Sequence, residues 1–233
     1  MKINIAIDGP AGSGKGTVAK LVAEKLGYMY VDTGAMYRLL TYLMIKNNIR
    51  IEDDEKINEL LINEFDYEII DGRMICDGED VTERIRDKDV NELVTFVAGK
   101  TYVRKFLVDI QKNLASEKGV VMDGRDITSV VLKDAELKIY LDAAFEERAR
   151  RRHSEDVKKG KNSTLEEVKE IIKLRDHNDM MNNKTLVKGE DSVVVDTTHT
   201  SVEEAVNKVY ELAKERIFND WGGSCFYRKT ECR

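Results

Sequence analysis

The sequence lacks long hydrophobic runs, secretion signals and any excess of positive charge. No apolar run reaches the roughly 18 residues of a membrane-spanning helix, so we expect no membrane segment. The N-terminal residues lead directly into a predicted strand and loop, so we expect no signal peptide. The formal net charge is −6, which argues against a protein whose main task is to coat nucleic acid or anionic membranes.

Cysteine and histidine are also scarce. The cysteines (Cys76, Cys225 and Cys232) form no Cys-x-x-Cys pair, and the histidines (His153, His177 and His199) are scattered. This pattern argues against a zinc site and favours free thiols in a reducing compartment, so we expect a cytoplasmic protein.

Apolar runs alternate with helix-like patterns along the 233 residues. The runs predict buried strands at 3–7, 28–31, 119–122, 137–141 and 193–195. Amphipathic helices are predicted at 17–26 and 202–218, among others. Strands that alternate with helices indicate an α/β fold with a parallel sheet covered on both faces.

Two segments interrupt this alternation. Residues 65–82 predict two short strands around Asp71-Gly72, a hairpin signal, within a small antiparallel insert at about 33–91. Residues 148–164 are rich in charge and poor in apolar side chains, which predicts a mobile flap or helical arm. The remaining core is 1–32, 92–147 and 165–218 of a single domain (1–218), followed by a tail at 219–233.

The strongest motif is GPAGSGKGT, between the first predicted strand and helix. Its Gly-rich backbone can turn amide groups inward around phosphate oxygens at a helix N-terminus, and Lys15 adds a mobile positive charge. A Gly-rich turn without function would not explain a lysine at this spacing. We therefore predict that the loop binds ATP through Gly9, Pro10, Ala11, Gly12, Ser13, Gly14, Lys15, Gly16 and Thr17.

Gly16 departs from the usual Gly-Lys-Ser or Gly-Lys-Thr ending, and Thr17 carries the next hydroxyl. The Gly-Lys-Gly-Thr ending resembles nucleoside monophosphate kinases, whose magnesium is held chiefly by nucleotide phosphates and water. Such a kinase needs a second anion site. After the second strand, Asp32 or Thr33 could cap a helix that carries Tyr37 and Arg38.

Four stretches together resemble the bacterial cytidylate (CMP/dCMP) kinase family: IAIDGPAGSGKGT, DTGAMYR, VVMDGRD and LKIYLDAAFEERARRR. The resemblance covers about 2–218. It implies a P-loop kinase with a five-stranded parallel sheet, a nucleotide-binding insert and a mobile lid. It also implies phosphoryl transfer from ATP, with Mg²⁺, to CMP or dCMP, by a monomer.

The resemblance assigns acceptor-site residues. It places Arg38, Arg125 and Tyr37 at the α-phosphate of the acceptor nucleotide. It places Thr95, Arg104 and Asp126 at cytosine, and Arg175 and Asp179 at ribose and phosphate. Thr33 stands at a substrate position that is often Ser in the family. The chemistry agrees, because Asp126 can accept from the cytosine amino group while Arg104 donates to ring acceptors. Catalytic roles are expected for Lys15 and Arg125.

The arginines at 148–152 allow two interpretations. They predict either a solvated helix face or a lid whose Arg148 and Arg152, four residues apart on one face, move onto ATP phosphates as catalytic residues. Asp123, at the end of an apolar strand, is likewise either a turn residue or a group that orients a magnesium-bound water.

Several positions depart from the family pattern: Asn182 for an arginine, Thr128-Ser129 for Gly-Thr, and Thr101 and Lys133 for prolines. Two alternatives stay open. One is a kinase for another small acceptor, because phosphate-loop kinases for metabolites share the front half of the pattern. The other is a nucleotide-binding regulator that has lost catalysis, which Asn182 and Thr128 keep open. The intact pocket residues weigh against both.

Overall fold

A parallel five-stranded sheet forms the core of the molecule. The computed structural model describes residues 1–70, 72–160, 162–182, 185 and 188–222, with the side chains of 182 and 219–222 left out. The sheet strands are β1 (Ile5–Asp8), β2 (Met29–Asp32), β6 (Val120–Gly124), β7 (Leu137–Asp142) and β8 (Val193–Asp196). Their order is β2-β6-β1-β7-β8, all parallel. The predicted sheet is confirmed.

Each strand extends one or two residues beyond its predicted end, because the apolar pattern stops at an acid that still pairs. These acids are Asp8, Asp32, Asp123, Asp142 and Asp196. In the sheet, Asp32 lies opposite Asp123, and Asp142 lies opposite Asp196. Carboxylates therefore line the carboxyl-terminal edge of the sheet, the edge at which open α/β sheets bind ligands.

In the part of the chain that the structure describes, eight α-helices accompany the sheet. They are α1 (Lys15–Leu26), α2 (Thr33–Lys46), α3 (Asp54–Asn63), α4 (Lys88–Gly99), α5 (Thr101–Leu114), α6 (Phe145–Lys158), α7 (Leu165–His177) and α8 (Val202–Gly222). Asp32 caps α2 by accepting from the Ala35 amide at 2.9 Å. None of the helices in the described residues is long and apolar enough to cross a membrane.

Two apolar clusters cover the two faces of the sheet. On one face, α1 and α8 pack over the strands, with Val22 and Val209 fully buried. On the other, α2, α3 and α5 pack over β6, with Leu39 and Leu107 fully buried. Met74 from the insert belongs to this second cluster, so the insert shares its apolar core with the sheet.

The insert is less antiparallel than the sequence predicts. Its sheet contains β3 (Glu68–Ile70), β4 (Arg73–Cys76) and β5 (Glu79–Asp80), and the rest of 33–91 is largely helical. The two predicted strands are present, whereas β5 was missed because its two acidic residues show no apolar alternation. Asp71 of the predicted turn lies outside the described residues.

The segment predicted as a flap or arm at 148–164 lies in a helical hairpin. Helix α6 begins earlier, at Phe145, and packs against α7. Ala149, Val168 and Ile172 form a small buried cluster between the two helices. Phe145 and Leu165 pack against this cluster, so an otherwise charged helix docks through a few apolar side chains, which composition alone does not show.

Candidate active site

The loop between β1 and α1 is held in a conformation that requires glycine at particular positions. Gly12 and Gly14 have φ values of +78° and +88°. A Cβ on Gly9 would lie 2.1 Å from the Leu141 carbonyl oxygen of β7, too close for any other residue. The first-turn amides of α1 have no partner within the helix, so this end of α1 can bind an anion.

Lys15 stands at the start of α1, with its Nζ 3.3 Å from the Pro10 carbonyl oxygen. Burial, and after it the charge of Arg125, lowers the pKa of Lys15 to about 7. Arg175 lowers it further, whereas Asp123 and Asp32 oppose the shift. The ammonium therefore lies among other cations, an arrangement that a bound polyanion would relieve.

Two arginines of α6 hold the loop from outside. Arg148 is buried and donates from Nη1 to the Ala11 carbonyl at 2.9 Å and to Asp176 at 2.6 Å. Arg151 donates from Nη1 to the Ser13 carbonyl at 3.4 Å. Arg151 also bonds to the hydroxyl and carbonyl oxygens of Thr197, after β8.

The structure thus separates Arg148 from Arg152, which the sequence analysis grouped on one phosphate-facing side. Arg152 pairs with Glu155 at 3.2 Å, and its charge lowers the pKa of Arg38 and Arg175. Arg151 was missed, although its spacing of three from Arg148 also predicts a shared helix face. Movement of Arg148 or Arg152 onto ATP phosphates stays a prediction.

Arginines from three elements meet near Lys15. Burial is the main cause that lowers the pKa of Arg38 on α2 to about 10 and that of Arg175 on α7 to about 9. The charge of Arg125, just after β6, lowers both values further. Arg125 donates from Nε to Asp179 at 2.7 Å, so one carboxylate fixes this guanidinium. The cluster can hold a second anion.

A polar pair lies beside these arginines. The Arg104 guanidinium on α5 bonds to the Asp126 carboxylate, which is 8% exposed. Burial raises the pKa of Asp126, and Arg104 opposes the rise. Burial also raises the pKa of nearby Tyr37 to about 12. Together these groups present both a donor and an acceptor to a ligand.

The two candidate anion sites are near each other, since the charges of Arg125 and Arg175 lower the pKa of buried Lys15 and those of Arg125 and Arg152 lower the pKa of buried Arg38. The family model described as cytidylate kinase matches residues 5–215. The chain belongs to the cytidylate kinase family.

Curated relatives agree over almost the full length. A cytidylate kinase from Caldicellulosiruptor bescii is 48% identical over 224 residues, covering 94% of this chain and 99% of the relative. One from Geobacillus sp. is 46% identical over 220 residues, covering 92% and 98%. A solved shikimate kinase from Acinetobacter baumannii, in complex with shikimate, is 18% identical to this chain, with a TM-score of 0.44. The match covers 92% of this chain and 94% of the shikimate kinase. A likeness this weak supports no conclusion about function.

Two of the predicted substrate residues, Thr33 and Thr95, differ in their placement, and their contact with an acceptor stays a prediction. The Thr33 hydroxyl donates to the Asp123 carbonyl at 2.9 Å and is buried, so it secures the end of β6. Thr95 is half-buried on α4, which packs against α2. A sequence motif identifies such positions but does not show which way their hydroxyls point.

A buried carboxylate that sequence reasoning missed, Asp8, anchors the turn that follows Asp126. Asp8 accepts from the Ile127 amide at 2.9 Å, and from the Thr128 amide at 2.9 Å and hydroxyl at 2.7 Å. These bonds hold the π-helical turn Ile127–Val131 that directly follows Asp126. The departure from glycine at position 128 therefore adds a hydrogen bond to the loop.

Two other departures lie at the ends of helical elements. Asn182 ends a second π-helical turn, Asn178–Asn182, and its side chain lies outside the described part of the chain. Thr101 begins α5, and nothing in the structure explains Lys133. Cys225 and Cys232 of the tail also lie outside the described residues, whereas Cys76 is a buried free thiol.

Proposed function

We propose that this protein transfers the γ-phosphoryl group of ATP to CMP or dCMP, giving ADP and CDP or dCDP. One observation supports the proposal most: the charges of Arg125 and Arg175 act on Lys15 of the phosphate loop, and Arg104 pairs with Asp126, the residue that follows Arg125. We infer that the two groups face one chamber. Membership in the cytidylate kinase family supports it. The paired site favours this reaction over the two alternatives.

Catalysis would rest on positioning and charge neutralisation. The acceptor oxygen of a nucleoside monophosphate is already anionic at neutral pH, so no strong general base is needed. Lys15 and the loop amides would bind the donor phosphates, and Arg38, Arg125 and Arg175 the acceptor phosphate. Held in line, the two anions would react without water competing.

Magnesium fits this arrangement without a protein cage. The described residues contain no group of three acidic, histidine or cysteine side chains that could hold a metal. Mg²⁺ retains several waters and takes phosphate oxygens, so one carboxylate suffices. Asp123, 5% exposed at the end of β6, is the residue that would hold it, through water. When bound, Mg²⁺ neutralises charge on the transferring phosphate.

Acceptor choice would depend on Arg104 and Asp126. Cytosine offers an amino donor to Asp126, whereas uracil would turn an acceptor toward it and leave a buried carboxylate unpaired. That mismatch costs a few kcal/mol, enough for roughly hundredfold discrimination.

Closure of the insert over the lid helices is part of the proposal. At the end of α6, Lys159 lies 3.0 Å from Glu83 of the insert, so the two segments already meet across the chamber. The pair is exposed and contributes little stability by itself. A weak contact suits a closure that must open again to release products. We further propose a monomeric, cytoplasmic protein.

A coupled ADP-release assay with ATP and Mg²⁺ tests the function. The acceptors are CMP, dCMP, UMP, AMP and shikimate, and Lys15→Ala serves as the inactive reference. We expect turnover with CMP or dCMP to exceed that with the others at least tenfold. Turnover only with another acceptor, or nucleotide binding without transfer to any acceptor, would refute the proposal.

A further inference from the structure

Gly16 stands where many phosphate loops have Ser or Thr, and a side chain at this position would face two polar groups. A Cβ added to Gly16 would lie 3.4 Å from the Tyr30 hydroxyl oxygen and 3.8 Å from Asp123 Oδ2. In phosphate loops that end in Gly-Lys-Ser or Gly-Lys-Thr, the side chain at this position contributes a hydroxyl to magnesium. In this protein, the position that such a side chain would occupy lies next to the hydroxyl of Tyr30, which belongs to a strand.

Tyr30 brings that hydroxyl from β2. The strand pairs with β6 so that Tyr30 lies opposite Val121 and Asp32 lies opposite Asp123. The Tyr30 hydroxyl donates to Asp123 Oδ1 at 2.9 Å. With Oδ1 engaged, Oδ2 is the carboxylate oxygen that faces residue 16.

Asp123 is held from both ends. Its backbone carbonyl accepts from the Thr33 hydroxyl at 2.9 Å, and its side chain accepts from Tyr30. A half-buried tyrosine needs some partner for its hydroxyl, and any acceptor would satisfy that need. The choice of the carboxylate beside the phosphate loop indicates a positioning role beyond simple satisfaction of the hydroxyl.

We propose that Tyr30 is a positioning residue for the phosphate site: its hydroxyl holds Asp123 with Oδ2 turned toward Gly16 and so replaces, from β2, the hydroxyl that the loop lacks. The inference rests on the proposed function, in which Asp123 would hold the Mg²⁺ of the bound nucleotide through water.

Binding of Mn²⁺ to the protein–ADP complex, followed by electron paramagnetic resonance, tests this without turnover. Tyr30→Phe keeps the ring and its apolar packing but removes the hydroxyl. We expect Mn²⁺ affinity to fall about three- to tenfold, the range of one net hydrogen bond, while metal-free ADP affinity stays unchanged. Adding Gly16→Ser to Tyr30→Phe should restore Mn²⁺ affinity, whereas adding Gly16→Ala should not.

Tyr28→Phe is the matched control, since the Tyr28 hydroxyl accepts from the Ile3 amide at 3.2 Å, on the same stretch of chain. It should leave Mn²⁺ affinity unchanged. Parental Mn²⁺ affinity in Tyr30→Phe, or equal rescue by Gly16→Ala and Gly16→Ser, would overturn the inference alone. Failure of the parent protein to bind ADP would instead remove the proposed function and the inference with it.

Discussion

Among single residues, Asp126 is the one that we propose selects the base of the acceptor nucleotide. Its carboxylate is buried and paired with Arg104, so the hydrogen-bond acceptor that it offers to a base has a fixed charge and position. Asp126→Asn replaces one acceptor oxygen by a donor, which removes the penalty against uracil.

We expect Asp126→Asn to lower the preference for CMP over UMP from roughly hundredfold to within tenfold, measured as the ratio of kcat/KM values. Asp109→Asn, at an exposed position of α5, is the control and should keep the parental ratio. An unchanged ratio in Asp126→Asn would remove this residue from base selection.

Lys15 should bind a proton when ATP binds. In the free protein its pKa is lowered to about 7, so at pH 8 much of the side chain is neutral. Phosphate charge favours the ammonium and raises the pKa, so binding takes up a proton and ATP affinity falls as pH rises above 7.

Calorimetry at pH 8 in two buffers of different ionisation enthalpy measures this proton uptake. The observed binding enthalpy should differ between the buffers for the parent protein and agree between them for Lys15→Met. Buffer-independent enthalpies for the parent would contradict the assignment of a lowered pKa to Lys15.

At the level of secondary-structure elements, α6 supports the phosphate loop through side chains that never need to touch nucleotide. Arg151 joins the Ser13 carbonyl to Thr197, so it couples the loop, the lid helix and the segment after β8. Without this link the loop would lose order on the ATP side of the chamber only.

Arg151→Ala should therefore raise KM for ATP about tenfold, the equivalent of one charge-assisted hydrogen bond, and leave KM for CMP nearly unchanged. Arg150→Ala is the matched control on the same helix, because Arg150 is 65% exposed and pairs only loosely with Glu147 at 3.4 Å. Similar KM values for ATP in the two variants would show that Arg151 does not support the loop.

For the whole molecule, local sequence signals predicted the sheet and the phosphate loop well. Buried strands and a Gly-rich turn each depend on neighbouring residues, so a linear pattern reveals them. The contacts of Tyr30, Asp8 and Arg151 depend instead on strand register and helix docking, which join residues far apart in sequence. The sequence placed Tyr30 in a strand, but only the register of β2 on β6 brings its hydroxyl to Asp123.

The surroundings of charged side chains also depend on contacts between residues far apart in sequence. Composition marks α6 as a solvated arginine-rich segment, yet Arg148 is buried and satisfied by Asp176 and two carbonyls. Whether a guanidinium faces solvent, backbone or substrate is decided by how α6 and α7 pack against the loop. Sequence reasoning therefore identified the cluster but did not single out Arg151, whose contacts with the loop appear only in the structure.

The central claim is that two nucleotides bind head to head in one chamber, between Lys15 and the arginine cluster. Binding of adenosine–cytidine pentaphosphate, a single molecule carrying both nucleosides, tests it most directly by calorimetry. We predict one molecule bound per chain, displacement of both ATP and CMP, and weaker binding in both Lys15→Ala and Arg125→Ala. Displacement of only one nucleotide, with the other still bound at its full affinity, would contradict a shared chamber.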